Sequence, residues 1–427
     1  MKKYISAAVA LTSVVAGQNA MAAGFEKSTM FSGKYAGMAN AATGAVTGSE
    51  SLYFNPAGLA RGESDITLNV SPTWSTYGGP ITSTTANTSQ TGMSPIFAAF
   101  ANYKLTEKLG IGAGAYVSAG SSSTFENVAG PNLTALGFAD FSAAKFDLVT
   151  KLSLIEYTLG AGYEIIDGLT FGASARMASV TGELTSPAAR ATAATPGFYV
   201  STIDGLTDSV FSYRVGLQYA PKDAGWGVGI SYRGVTEFSA DGDLSVKLAP
   251  AVAPGTLNEV AAAAGTAVVS GQLPQALSVG GFWDASSSLK LLAEYTYTGY
   301  GAMSKLGIVT TNAEGTSSND LTLNWANQSN WRLGAQYAVS DDIALRAGYV
   351  LTTQVTDTNN AAASFVAPGT GHTITLGAGT AFLDKKLGLN IAADYSTTSG
   401  AGKTSSGFSG DFTTTGVAAH VGLSYAL

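Results

Sequence analysis

Short segments of strictly alternating hydrophobicity recur through this 427-residue chain. In residues 331–338, "WRLGAQYA", Trp331, Leu333, Ala335 and Tyr337 alternate with Arg, Gly and Gln. The pattern recurs in residues 211–220, 226–234, 289–297 and 343–350. Successive side chains of a strand point to opposite faces, so a period of two predicts β-strands.

The residues on the polar faces of these strands distinguish a soluble sandwich from a membrane barrel. A sandwich would present Lys and Glu to water, but these faces carry Gly, Ser, Ala and an occasional Arg. Charged residues make up only 12% of the chain, and aromatic residues near the strand ends fit membrane girdles. After residue 22 no apolar run reaches the roughly 20 residues of a membrane helix. We predict an all-β, transmembrane up-and-down antiparallel barrel.

The connections between the strands alternate in length. Short links such as residues 106–110, 221–225 and 383–386 alternate with long Thr-, Ser- and Gly-rich stretches such as residues 80–92 and 352–371. Outer-membrane barrels have this arrangement, with short turns on the periplasmic side and longer loops on the outer side. Counting the strands between these connections gives about 14.

The N-terminus predicts export. Residues 1–22 combine Lys2 and Lys3, a short apolar region and an Ala20-Met21-Ala22 site, as a cleaved signal peptide does. We therefore expect a protein of the Gram-negative outer membrane, with strands in residues 65–427. Such a chain meets outer-membrane lipid and the barrel-assembly machinery, and we expect a monomer.

Residues 23–64 precede the first predicted strand and contain "SLYFNPAGLAR". Asn55-Pro56 is a turn signal, yet the residues on both sides of it are apolar. An exposed loop tip would not usually carry so much apolar surface. A barrel of this width encloses space that its wall side chains cannot fill, so we predict that residues 23–64 fold inward as a plug, or hatch.

These features resemble the FadL-type outer-membrane transporters of long-chain fatty acids and aromatic hydrocarbons (OmpP1/FadL/TodX). The resemblance covers nearly all of the mature chain, including "GMANAATGAVTGSESLYFNPAGLAR", "LPQALSVGGFW" and the closing strand. It implies capture of a hydrophobic ligand by outer loops, binding in an inner pocket, hatch movement, and lateral release beside a kinked third strand.

The resemblance assigns roles to particular positions. Phe25, Asn55, Pro56 and Ala57 match the hatch, and Ser118-Ala119-Gly120 matches the kink, although Gly120 could instead simply end the strand. Lys305 matches a family lysine and is a possible carboxylate partner, or else an exposed loop lysine. Thr181 stands where the fatty-acid members carry a cation, which puts the preference for an acid head group in doubt.

Two groups of residues have alternative interpretations. An apolar group after the third strand predicts either a ligand-capture groove with a short amphipathic helix or loop self-packing. Inward arginines either line a porin-like pore or anchor the hatch, which we prefer because unpaired buried charge is costly. The capture group is Phe125, Val128, Leu133, Leu136, Phe138 and Phe141, and the arginines are Arg176, Arg214, Arg233, Arg332 and Arg346.

Little in the sequence indicates catalysis. The chain has no Cys and two histidines, His372 and His420, so we expect no catalytic residues, no metal and no cofactor. A net charge of -7 argues against nucleic acid as a partner. We predict passive uptake of hydrophobic small molecules, most of all long-chain fatty acids. A polar-solute porin and a structural or adhesive barrel are the alternatives.

Overall fold

The computed structural model describes residues 24–83, 87–190 and 197–427. The predicted signal peptide, residues 1–22, lies outside the described residues. Among the residues that are described, no helix is both long enough and apolar enough to cross a membrane.

A single antiparallel sheet forms the wall of the molecule. Its segments are β1 Asp65–Pro80, β2 Asn87–Lys104, β3 Leu109–Ala129, β4 Lys145–Ile166, β5 Leu169–Arg190, β6 Gly197–Tyr219, β7 Trp226–Arg233, β8 Thr236–Pro250, β9 Asn258–Glu259, β10 Gly265–Leu273, β11 Ala276–Asp284, β12 Leu289–Thr298, β13 Lys305–Asn312, β14 Gly315–Ser318, β15 Leu321–Thr322, β16 Gln328–Ala338, β17 Ile343–Thr352, β18 Gly371–Phe382, β19 Leu387–Lys403 and β20 Ser409–Ala426. Consecutive segments β7–β8, β10–β11 and β12–β13 each form one interrupted strand. With the short β9, β14 and β15 set aside, the described residues form the predicted 14 strands.

The sheet closes into a barrel because its first and last strands pair. Asp65 of β1 is opposite Asn102 of β2 on one side and Ala426 of β20 on the other. Closure leaves no open edge between these strands, as a membrane interior requires. The prediction of a long loop at residues 80–92 was wrong in its bounds, because β1 continues to Pro80 and β2 already begins at Asn87.

Alternation along each strand gives the barrel an apolar outer face and a polar inner face. In β6 the outward Phe211, Tyr213 and Leu217 are exposed, as lipid-facing side chains are. In β1 the inward Ser71 and Thr73 are fully buried. The period-two pattern therefore produces a membrane-facing surface around a polar lumen.

Residues 24–64 fill the lumen as three short helical turns joined by loops. The turns are a 3-10 helix at Ala36–Met38, the α-helix α1 at Ser51–Phe54, and a 3-10 helix at Pro56–Ala60. Wall glycines let this segment approach the wall closely. A Cβ at Gly172 would collide with the Pro56 backbone, and one at Gly216 with the Asn55 amide. This segment is called the hatch below.

Candidate functional site

The Asn-Pro turn joins the hatch to itself and to the wall. The fully buried Asn55 Nδ2 donates to the carbonyl oxygens of Thr43, Leu217 and Ile230 at 2.9, 3.0 and 3.2 Å. Its Oδ1 accepts from the Ala57 N–H at 3.2 Å, which caps the 3-10 helix that begins at Pro56. The apolar residues beside this turn pack in the lumen, which explains an apolar segment ahead of the first strand.

Two ion pairs attach the start of the hatch to the wall. Lys27 Nζ lies 2.7 Å from Asp394 Oδ2 of β19, and both side chains are 0% exposed. Glu26 forms a bidentate pair with Arg233 of β7, in which the Nη2–Oε2 distance is 2.9 Å. Because the partners belong to different parts of the molecule, these pairs contribute to docking of the hatch rather than to the barrel alone.

Asp394 also belongs to a buried chain of hydrogen bonds. Its Oδ2 lies 2.7 Å from His420 Nε2, and His420 Nδ1 lies 2.8 Å from Ser71 Oγ. The order of groups is that of a serine hydrolase triad. However, the three side chains are buried under the hatch, and Asp394 also accepts from Lys27 and Thr29. The network has no signature in the sequence because its members are far apart in the chain.

The arginines predicted to anchor the hatch divide into two groups. Arg233 contacts Glu26, Arg332 donates to the Ser28 carbonyl oxygen at 3.4 Å, and the Arg214 guanidinium lies 5.3 Å from the Tyr53 ring centroid. The other two bond to the wall. Arg176 pairs with Glu156, and Arg346 donates to Gln336 and Asn390, both at 2.8 Å. The prediction that Arg176 and Arg346 anchor the hatch was therefore wrong, because partners on neighbouring strands of the wall already bond to both guanidinium groups.

The wall is open beside the predicted kink. β2 pairs with β3 only from Ala98–Lys104 to Gly110–Tyr116, so the outer parts of the two strands lack a common ladder. On its other side β3 stays paired with β4, and the register shifts between Val117 and Ala119. Ser118 is therefore the extra residue of a β-bulge, and Gly120 does not end the strand, which continues to Ala129.

The first described residues of the hatch reach this opening. The Gly120 N–H donates to the Phe25 carbonyl oxygen at 2.8 Å. The Phe25 ring packs 5.0 Å from the Trp325 ring and 6.1 Å from the Phe365 ring, and its N–H donates to the Tyr300 hydroxyl at 3.1 Å. These rings belong to a large cluster of packed apolar side chains, called here the inner chamber, which also contains Ala119, Leu154, Val180, Ile203, Leu206, Leu273 and Leu306. Phe25 is thus packed within an apolar cluster next to the gap in the wall.

The predicted capture residues lie mainly in a closed outer cluster. Phe125, Val128 and Phe141 are buried together, Leu133 packs against them, and Phe138 is partly exposed outside the cluster. The side chain of Leu136 lies outside the described residues. Residues 361–367 of an outer loop cover the group, so it forms no open groove, and the predicted helix is only a 3-10 turn at Thr134–Leu136.

The two positions tied to an acid head group, Lys305 and Thr181, are both exposed. Lys305 is paired with Asp320 of its own hairpin at 2.5 Å, and its side chain is 57% exposed. Thr181 is opposite Ser153 and lines an outer groove together with Lys151 and Glu183. No group of metal-ligating side chains occurs among the described residues.

A closed barrel whose bore holds its own N-terminal segment, with an apolar cluster beside a gap in its wall, has the architecture of an outer-membrane channel for hydrophobic compounds. The chain belongs to the family described as outer membrane protein transport protein (OMPP1/FadL/TodX), whose model matches residues 13–426. Members of this family are passive transport channels and not enzymes. No curated protein sequence matches the chain.

Solved structures share the fold at low sequence identity. A Pseudomonas aeruginosa FadL homologue is 16% identical with a TM-score of 0.75, over 95% of this chain and 100% of that one. The Pseudomonas putida toluene transporter TodX is 16% identical with a TM-score of 0.71, over 91% and 97% of the two chains. CymD, a monoaromatic hydrocarbon channel, is 14% identical with a TM-score of 0.69, over 94% and 98%.

Proposed function

We propose that this protein carries long-chain fatty acids across the outer membrane without energy input. Outer loops take up the apolar chain, the inner chamber binds it, the hatch moves, and the ligand leaves sideways through the wall. The observation that carries the proposal is the juxtaposition of Phe25, the inner chamber and the gap between β2 and β3. Transfer of each CH₂ from water to such a chamber contributes about 0.8 kcal/mol.

Phe25 acts as a stand-in for the ligand. Its ring fills the chamber, and its backbone is held at the β-bulge by Gly120. A ligand that enters the chamber displaces the ring, and displacement weakens the bond at the bulge. Chamber occupation and exposure of the gap are thereby coupled.

An aromatic hydrocarbon is the second candidate cargo. The inner chamber is rich in aromatic rings, among them Phe25, Tyr300, Trp325 and Phe365. Lys305, the family lysine, is engaged by Asp320. A neutral ligand would need no charged partner in such a space, whereas a carboxylate would keep its head group at the polar edge.

Competition binding identifies the cargo class. Purified protein in detergent is titrated with a fluorescent fatty acid, and oleate or toluene is added as competitor. Displacement by oleate supports the fatty-acid proposal, and displacement by toluene alone favours the hydrocarbon. If neither displaces the probe and removal of residues 24–64 leaves ion conductance unchanged, the transport proposal fails.

Deletion of Ser118 tests the lateral route. Removal of the extra residue restores the register of β3 and favours pairing with β2 across the gap. We expect ligand binding to persist and uptake by cells to fall to the level of a strain without the protein. The matched control, Ser118→Ala, removes only the bond from Ser118 Oγ to the Leu154 carbonyl oxygen and keeps the bulge. Equal uptake by the deletion variant and the wild type would refute lateral release.

The mature protein is proposed to begin at residue 23, after signal-peptide cleavage, with residues 23–64 as a hatch unit and residues 65–427 as the barrel. Outer-membrane lipid, the barrel-assembly machinery and a monomeric state are proposed with it. Mass spectrometry of protein extracted from outer membranes tests the cleavage site directly.

A further inference from the structure

A small polar cavity lies between the hatch and the wall, apart from the apolar inner chamber. Its volume is about 70 Å³, and residues of β6, β7, β11, β12 and β16 line its wall side. One water needs roughly 10–15 Å³ of such space, so the cavity holds a few waters or a small ion. It is too small for a hydrocarbon chain.

The charges around this cavity do not balance. Arg233 is paired with Glu26, and Arg332 lies 3.5 Å from Glu294. Lys27 also lines the cavity, but its partner is Asp394. Arg214 has no carboxylate partner within the described part of the chain. One guanidinium is therefore in excess.

The position of Arg214 makes this excess costly. It is directly opposite Arg233 across the β6–β7 ladder, and like charges in that arrangement repel each other. Its described contact is with the Tyr53 ring, and its Nε has no hydrogen-bond partner. The residue is only 8% exposed. A buried charge without a partner costs several kcal/mol, so a counter-charge is needed here.

Further unpaired polar atoms line the same cavity. Ser231 Oγ, Arg233 Nε and Arg332 Nε lack hydrogen-bond partners, and Ser231 is only 3% exposed. A hydroxyl and the guanidinium N–H groups are donors, so these groups together fit an acceptor that carries negative charge. We propose that this cavity is a binding site for a small monovalent anion, either a halide or a carboxylate.

The carboxylate could come from a free short acid or from the head group of a longer ligand. The volume of the cavity favours a free halide, formate or acetate with the hatch docked as in this structure. This proposal does not depend on which hydrophobic compound the channel carries, because the cavity that Arg214 lines is too small for a hydrocarbon chain.

Anomalous diffraction from crystals of the full chain soaked in sodium bromide tests the site. We expect a bromide peak within hydrogen-bond distance of the Arg214 guanidinium. A second soak containing bromide and formate should weaken this peak, whereas bromide with decanoate should leave it unchanged. If decanoate also removes the peak, the cavity takes the head group of a long ligand; if the wild-type cavity shows no bromide, the proposal is wrong.

Solution binding supplies the matched comparison. The thermal unfolding midpoint of the full chain in detergent is measured in chloride and in gluconate at equal ionic strength. We expect a higher midpoint in chloride for the wild type and for Arg346→Gln, whose arginine bonds elsewhere on the wall. In Arg214→Gln, loss of charge-assisted hydrogen bonds should weaken anion binding roughly 10- to 100-fold. An equal chloride response in Arg214→Gln would overturn the assignment, and the bromide experiment decides the case if this variant does not fold.

Discussion

Substitution of Lys27 by Met should release the front of the hatch without unfolding the barrel. Met keeps most of the length of the side chain but removes the charge that faces Asp394, where both side chains are 0% exposed. Loss of one partner of such a pair costs about 3–5 kcal/mol. Lys27 belongs to the hatch and Asp394 to β19, so this loss weakens the free energy with which the hatch docks in the barrel. The undocked fraction then rises roughly 10²- to 10⁴-fold.

Single-channel recording in planar bilayers measures the effect. We expect ion-conducting openings to become much more frequent in Lys27→Met, while the heat-resistant migration of the folded barrel in gels stays unchanged. Lys305→Met is the matched control, because the Lys305–Asp320 pair is exposed and such pairs contribute only about 0–1 kcal/mol. Its openings should remain as rare as those of the wild type.

A double-mutant cycle tests the physical reason. Asp394→Asn alone leaves Lys27 buried without its counter-charge, whereas the double variant leaves no unpaired charge of this pair. We therefore expect the double variant to open far less often than the product of the two single effects predicts. Multiplicative effects on the open fraction would refute the view that this ion pair holds the hatch.

Three other changes have definite expected outcomes. Asn55→Ala removes the side-chain donor of the Leu217 and Ile230 carbonyl oxygens, whereas the Thr43 carbonyl oxygen keeps Gln218, and should lower hatch stability by about 1–3 kcal/mol for each oxygen that stays unpaired, measured by hydrogen exchange; unchanged exchange would contradict this. Phe25→Ala empties part of the chamber and should tighten toluene binding in a fluorescence titration, whereas weaker binding would oppose the stand-in role. The Lys305 hydrogen bond lowers the pKa of Asp320 from 3.8, so the pair persists above that pH and is lost as pH falls through the lowered pKa; an NMR titration should show the midpoint moving up in Lys305→Met.

The fold was predictable from the sequence because strand patterns are local. The alternation of Trp331, Leu333 and Tyr337 with Arg332 and Gly334 fixes the two faces of one strand without information from elsewhere in the chain. The inward position of the hatch was predictable from the volume of the barrel lumen, because wall side chains cannot fill so wide a barrel and the hatch residues are apolar.

Contacts within the lumen were less predictable. Ser71 and His420 are separated by 349 positions, and no sequence pattern relates them. Arg176 and Arg233 both lie on the polar face of an alternating strand, yet Arg176 pairs with a glutamate of the wall and Arg233 with a glutamate of the hatch. Which partner each arginine finds depends on strand register and on the path of the hatch, and both are tertiary properties.

The pairing of β1 with β20 places the closure of the wall next to the base of the hatch. The Leu427 N–H donates to the carbonyl oxygen of Ser64, the residue that joins the hatch to β1. Asp65, the first residue of β1, is opposite Ala426 of β20 in the same ladder. The seam of the cylinder and the root of its stopper therefore share one set of backbone hydrogen bonds, so a change that loosens the seam also loosens the point from which the stopper is suspended.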